Sequence, residues 1–383
     1  MPDSDEQTLN VCFHESIAEI GAQEWNRLAG TSDPFTRYEF LHALEQHQCV
    51  GEAFGWFPHH ISIRDAGNNL VGFSPLYIKT NSYGEFVFDW SWASAYEQVS
   101  IPYYPKLVCS VPYNPVTGTR LFAQSKLIKN LLIQQTIDVA KRLQMSGAHW
   151  LFTDDNDTDL FKRDQIMLRL GCQYHWKNYD FINFDEFLQM FVSRKRKKVK
   201  RERRMVQEQN IKIEIIHGNE AGEELIELAH SFYTSTFDRK SGIPTLSLEF
   251  FKQICSSMGD QVVFIFATLQ KKYIACAICM RGEEALFGRF WGCRQEFHSL
   301  HFETCFYQGI EYCINHKLKR FEPGAQGEHK ITRGFLPTKT WSAHWIANER
   351  FQTVLNSFCQ REQEAMHTQC KELGSLSPFR TEP

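Results

Sequence analysis

A chain of 383 residues, 43% hydrophobic and 14% aromatic, is too long for one ordinary core and suits two domains of about 150 to 200 residues each. With 23% charged residues and 31 phenylalanines it reads as a packed globule, which excludes a disordered or low-complexity protein. The net charge of -3 hides an asymmetry: nine Lys or Arg and one Glu fall between Arg194 and Arg204, leaving 33 basic against 44 acidic residues, so one basic island lies on an acidic body.

Met1 to Thr8 is polar and acidic, without the basic start and apolar run of an export signal, so a cytosolic location is expected. Glu39-Phe40-Leu41 opens a helical stretch, and strands follow over 60–63, 70–78 and 85–92, the first two joined by a turn at Asp65 to Asn69. After a loop stiffened by Pro102, Pro105, Pro112 and Pro115, the residues Ile128, Leu131, Leu132, Val139 and Leu143 keep helical spacing. Gly147 stops that helix, and His149 to Thr153 reads as a strand. Phe184 to Gln209 is an amphipathic connecting helix. Phe191, Val192, Val199, Met205 and Val206 line one stripe of it, and Arg194, Lys197, Lys198, Arg201 and Arg204 another side.

Beyond this helix the same order recurs. Glu249-Phe250-Phe251 opens a helix, strands follow over 262–268, 274–280 and 285–291, and Phe302, Phe306, Ile310 and Ile314 mark a second amphipathic helix before a strand over 319–322. Gln270, Lys271 and Lys272 break the most apolar stretch into a hairpin too short on either side to span a bilayer. Cys276 and Cys279 form the one CxxC, but three residues apart on an alternating strand they point to opposite faces and cannot share a metal. The other cysteines are scattered, as expected of reduced, buried thiols. The short tail after Ser375 is expected to fray. Helix, three-stranded meander, helix and strand, written twice, predicts an α/β (α+β) protein of two tandem sheets flanked by helices. The expected boundaries are 10–182 and 210–350 for the two domains, 183–209 for the basic helix between them, and 351–383 for a C-terminal helix and tail.

This element order resembles the GNAT acyltransferase fold, and its doubling resembles the Fem-type peptidyltransferases. Phe290-Trp291-Gly292, Leu300-His301-Phe302-Glu303, and Phe321-Glu322-Pro323-Gly324-Ala325-Gln326-Gly327-Glu328-His329-Lys330 followed by Arg333-Gly334-Phe335 are similar to the signature of a FemAB-like family. Asp89-Trp90-Ser91-Trp92 and Tyr103-Tyr104-Pro105-Lys106 also fit. The resemblance implies tandem GNAT-like domains over residues 10 to about 350, with an acyl donor entering between the strands 285–291 and 319–322 of the second.

The chemistry needs a base to take a proton from an ammonium nucleophile, and Glu328, His329 and Glu322 are residues of that type at a strand's carboxyl end. Around them, Trp291, Arg294, His301, Glu303, Gly324, Gln326, Gly327, Lys330 and Arg333 are the expected substrate contacts, with two glycines for close backbone approach. A structural alternative has Ser299 and Glu303 capping a helix and the 324–333 loop locking the C-terminal segment. In the first half Trp90, Tyr103, Tyr104, Lys106, Tyr113 and Asn114 suit acceptor binding, or else a rigid cover over a core. Arg194, Lys197, Lys198 and Arg201 are the anion-binding candidates.

The expected activity is N-acyl transfer from acyl-CoA or aminoacyl-tRNA to a small-molecule or peptide amine, with no permanently bound cofactor and no metal. The acidic body and the lack of aromatics among the cations favour a small-molecule donor over tRNA. The alternative from another class is a non-catalytic protein that binds a peptide or glycan fragment.

Overall fold

Runs of β-branched and aromatic residues become strands wherever turn residues bound them. The computed structural model describes residues 9–240 and 242–380 and divides them into two units. One comprises residues 9–31, 35–171 and 340–367; the other comprises 32–34, the described part of 172–339, and 368–380.

The strands of the first unit are β1 (Asn10–His14), β2 (Trp56–Pro58), β3 (His60–Arg64), β4 (Leu70–Ser74), β5 (Leu76–Lys79), β6 (Lys106–Cys109), β7 (Phe122–Ala123) and β8 (Gly147–Thr153). They form two layers: β1-β3-β4-β7 is antiparallel throughout, whereas β2-β5-β6-β8 contains the parallel pair β6 and β8. β9 (Met167–Lys177) carries the chain from the first unit into the second. There β10 (Lys212–His217), β11 (Val262–Leu269), β12 (Lys272–Arg281) and β13 (Ala285–Cys293) form an antiparallel meander. β14 (Arg320–Glu322) pairs parallel with β13 and antiparallel with residues 176–177 of β9. β15 (Leu336–Ile346) returns the chain to the first unit, where residues 341–346 pair antiparallel with β8.

The helices that matter below are α1 (Trp90–Gln98), α2 (Lys126–Arg142), α3 (Ser193–Glu208), α4 (Glu223–Lys240), α5 (residues 300–315) and α6 (Glu349–Ser375). In the first unit Leu132 of α2, Ile61, Leu107 and Trp150 share one core. In the second, Val199 of α3 and Ile310 of α5 bury against Trp176, Ile265, Phe321 and Phe335. Mixed sheets flanked by helices are thus present in both halves.

Four expectations change. The segment 85–92 is not a strand: α1 begins at Trp90, and the strand next to β5 is β6, because Lys106–Cys109 is the run buried on both faces. Pro75 lies between β4 and β5 and cannot donate to a ladder, so the predicted strand 70–78 breaks and its parts join different sheets. The units are not contiguous at 182 and 350 either, since residues 172–182 fall with the second unit and 340–367 with the first. Finally, residues 378–380 do not fray. Val192 N–H donates to Pro378 O at 2.8 Å, Arg380 N–H to Met190 O at 2.9 Å, and the Phe379 ring packs 5.1 Å from Phe191. Residues 381–383 lie outside the described residues.

Candidate functional site

β13 and β14 pair over only three positions, the last being Phe287 with Glu322. At the point of divergence a Cβ on Gly288 would lie 3.2 Å from the Pro323 backbone, so the strands still touch there and then part. The register against β12 slips between Ile278 and Cys279, making Arg289 the extra residue of β13, a bulge of the sort that re-aims side chains beside active sites. Into the resulting gap opens a cleft of about 260 Å³. Ala277, Cys279 and Cys305 line it together with the aromatic Phe290, Trp291, His301 and Phe306. Its polar groups are Arg289, Gln326, His329 and Lys330, and no carboxylate is among its lining residues.

The loop after β14 is held open by backbone geometry. Gly324 and Gly327 have φ of +92° and +115°, values that side chains resist. Burial, reinforced by the charges of Arg333, Lys330 and Lys198, holds the His329 imidazole below its usual range and therefore neutral near pH 7. Its ring lies 5.8 Å from Phe306 and 6.0 Å from Phe302. Lys330 is only 4% exposed and donates to Gly324 O at 2.7 Å; burial pulls its ammonium down to about 8. Trp291 and His301 meet edge to face at 5.6 Å. A Cβ on Gly292 would lie 1.9 Å from the Phe232 carbonyl of α4, so this glycine lets helix and strand pack.

Several expected contacts serve the scaffold instead. Arg333 is buried: its Nη2 and Nε donate to the Glu202 carboxylate at 2.8 and 3.1 Å, its Nη1 donates to His329 O at 2.8 Å, and its plane stacks 3.4 Å from Phe302. Tyr307 OH donates to the same Glu202 oxygen. The one acid of the basic run is therefore its anchor. Glu303 does not await an amine, because Arg203 pairs with it at 3.0 Å and Gln308 donates to it at 2.8 Å. Ser299 makes no side-chain cap, and residues Glu303–Tyr307 of α5 wind as a π-helical turn.

Neither expected acid lies on the cleft. Glu322 is 5% exposed and paired with Arg320 at 2.8 Å, its second oxygen 3.7 Å from the His175 imidazole. Glu328 is exposed, as is Arg294. Of the three expected catalytic residues the structure brings only His329 to the cleft. Arg289 was missed by sequence reasoning, although a lone charge inside Leu286-Phe287-Gly288-Arg289-Phe290-Trp291 was the available signal.

Of the anion-binding candidates on α3, Arg194, Lys197 and Arg201 are exposed and make no ion pair among the described residues, whereas Lys198 lies 3.9 Å from Glu202.

In the first unit, the expected acceptor residues mostly turn inward. Lys106 is fully buried, pairing with Glu85 at 2.9 Å and with Asp89; Tyr103 OH donates to Asp89 at 2.6 Å and Tyr113 OH to Cys49 O at 2.7 Å. Tyr104 OH lies 2.8 Å from Ser82 Oγ, and the Asn114 amide is buried with neither polar atom hydrogen-bonded. Only Trp90, stacked edge-on with Tyr83 at 4.9 Å, stays largely exposed. The gap where β6 and β8 diverge is filled by the Arg120 side chain, which donates to Leu151 O at 2.8 Å and Val116 O at 2.7 Å. The open cleft thus belongs to the second unit's strand pair, and its counterpart in the first is plugged by the chain itself.

Comparison with known proteins fits this architecture. The crystal structure of FemX is 11% identical, covers 88% of this chain and 98% of its own, and superposes with a TM-score of 0.54. The C-terminal domain of a putative lysylphosphatidylglycerol synthetase from Agrobacterium fabrum is 7% identical, covering 88% and 95%, with a TM-score of 0.53. L-PGS from Bacillus licheniformis is 9% identical, covering 90% and 98%, with a TM-score of 0.50. At such identities these likenesses establish the tandem GNAT-like fold alone. No curated protein matches the sequence. No helix among the described residues is long and apolar enough to cross a membrane. The FemAB-like family model matches residues 16–381, nearly the whole chain, and the protein belongs to that family of peptidoglycan biosynthesis and recognition proteins.

Proposed function

We propose that the second unit is an N-acyltransferase: an activated acyl group enters the cleft between β13 and β14 and is transferred to an amine. The observation that carries this reading is a cleft at the strand divergence holding a neutral imidazole and two cations with no lining carboxylate. The acceptor arrives as an ammonium and must lose a proton before it attacks, and His329 is the base within the cleft. As the amine nitrogen adds to the carbonyl, negative charge develops on oxygen, and Arg289 in a desolvated site favours it. Collapse expels the donor's thiolate or alkoxide and leaves an amide.

A small-molecule donor such as acyl-CoA remains the preferred reading. The body of the protein is acidic, and the three unpaired exposed cations of α3 suffice for a few phosphates but make a short track for tRNA. A peptide amine is the acceptor class that family membership suggests. Twelve free cysteines suit a reducing compartment, and the cytosol is the proposed location.

Native mass spectrometry of the protein purified with its small molecules tests the reading. A copurifying acyl thioester or peptide amine supports it; a glycan fragment alone favours the binding-protein alternative. Once an assay exists, His329→Gln should cost about 10²- to 10⁴-fold in turnover, while Glu328→Gln should change it less than about twofold because that side chain faces solvent. The reverse order would return the base to Glu328.

A further inference from the structure

Three lysines of this protein are almost completely buried, and they are satisfied differently. Lys106 has two carboxylate partners. Lys79 donates to Asn81 Oδ1 and Tyr83 O, both at 3.2 Å, and lies 4.1 Å from the Trp56 ring. Lys330 has one acceptor, Gly324 O, and no ion pair among the described residues, yet it lines the cleft. An ammonium carries three donors, so two of them would be left unmet in an aromatic pocket, at a cost the neutral amine avoids.

We propose that Lys330 is a nucleophilic amine and a self-acylation site, where an acyl thioester entering the cleft is captured as an amide. The inference rests on the reading that activated acyl groups occupy this cleft. In the step, the Nζ lone pair adds to the thioester carbonyl, the C–N bond forms, the C–S bond breaks, and the thiolate leaves with the proton lost from nitrogen. An amide does not pass its acyl group on to an amine under these conditions, so the product is a silenced cleft and not a catalytic intermediate. The charge of Lys330 is lost and its single hydrogen bond is rearranged.

The surroundings agree. The ionisable groups that face the amine are the Cys305 thiol, which burial keeps protonated, and the imidazoles of His329 and His175, which burial keeps neutral. None of them stabilises an ammonium as a carboxylate would. With its ionisation drawn down to about 8, Lys330 presents on the order of a hundredfold more neutral amine at pH 8 than an ordinary surface lysine.

The test uses the wild-type chain and S-acetyl-N-acetylcysteamine, an acetyl thioester without phosphates, with acetylated positions counted by mass spectrometry over time. Acetylation of Lys330 at least about tenfold faster than of exposed Lys197 and Lys200 is the expected result. Its rate should rise with a midpoint near pH 8, and the preference should vanish in denaturing urea. If Lys330 stays unmodified while the surface lysines react, it is a protonated anchor for an anionic ligand and the proposal is overturned. A phosphate-free thioester separates this outcome from the donor question, because Lys330 reacts in it even if no amine acceptor is ever turned over.

Discussion

Glu202→Met should be among the most damaging single changes outside the core. Glu202 is 5% exposed and accepts from Arg333 Nη2, Arg333 Nε and Tyr307 OH; Arg333 is 3% exposed. Removing the carboxylate leaves a guanidinium buried with a carbonyl and an aromatic face for company, and breaking such a pair costs about 3–5 kcal/mol. For a unit of this size that corresponds to a melting temperature lower by roughly 6–20 °C. Urea unfolding followed by tryptophan fluorescence measures it, given that Trp176 lies in the core shared by α3. The double variant Glu202→Met with Arg333→Met should recover much of the loss, because two apolar side chains in place of a buried pair are often neutral or stabilising. A control, Lys200→Ala on the exposed side of the same helix, should shift stability by less than about 0.5 kcal/mol. If Glu202→Met destabilised by less than about 1 kcal/mol, or the double variant lost the full sum of the single ones, the anchoring role would be refuted.

Four further outcomes follow from the same geometry. Burial raises the Glu85 carboxyl to about 7 from 4.5, since it shares Lys106 with Asp89, which that ammonium holds at about 2. A carboxyl raised on folding stabilises fully below its unfolded value and loses that contribution as pH rises through 7, so the first unit should weaken between pH 4.5 and 7, and Glu85→Gln should abolish this slope in pH-dependent melting curves. Gly292→Ala should abolish stable folding of the second unit or cost at least about 3 kcal/mol in chemical denaturation, because its Cβ would fall 1.9 Å from a helix carbonyl. Deleting residues 377–383 should lower stability by about 1–3 kcal/mol, read from urea midpoints, since it strips Phe379 and two backbone hydrogen bonds from the segment around Phe191. Replacing Arg194, Lys197 and Arg201 with Ala should barely alter acyl-CoA binding in titration calorimetry. Steep salt dependence of tRNA binding, lost in that triple variant by about 0.9 log units per phosphate contact, would promote aminoacyl-tRNA as donor.

Periodicity alone determined much of this protein. The meander 262–291, the helices at 126–142 and 300–315, the strand ending at Glu322 and the basic helix all follow from side-chain spacing, because each buries one face against a neighbour near in sequence. The motif from Phe321 to Arg333 likewise marked the loop that borders the cleft. Tertiary structure decided which polar residues meet the cleft and which brace it. Arg333 and Glu303 looked like substrate contacts until Glu202 and Arg203, about a hundred residues away, were found against them. The same holds for Lys106, whose partners Glu85 and Asp89 come from a segment that reads as a strand by alternation but folds as a loop and a helix start. The strands that cross between units, 167–177 and 336–346, were invisible for a related reason: a strand's pattern records that a face is buried, not which sheet it joins. Charge placement is a long-range property, and a sequence shows that a lysine such as Lys330 must be somewhere without showing that no carboxylate comes to meet it.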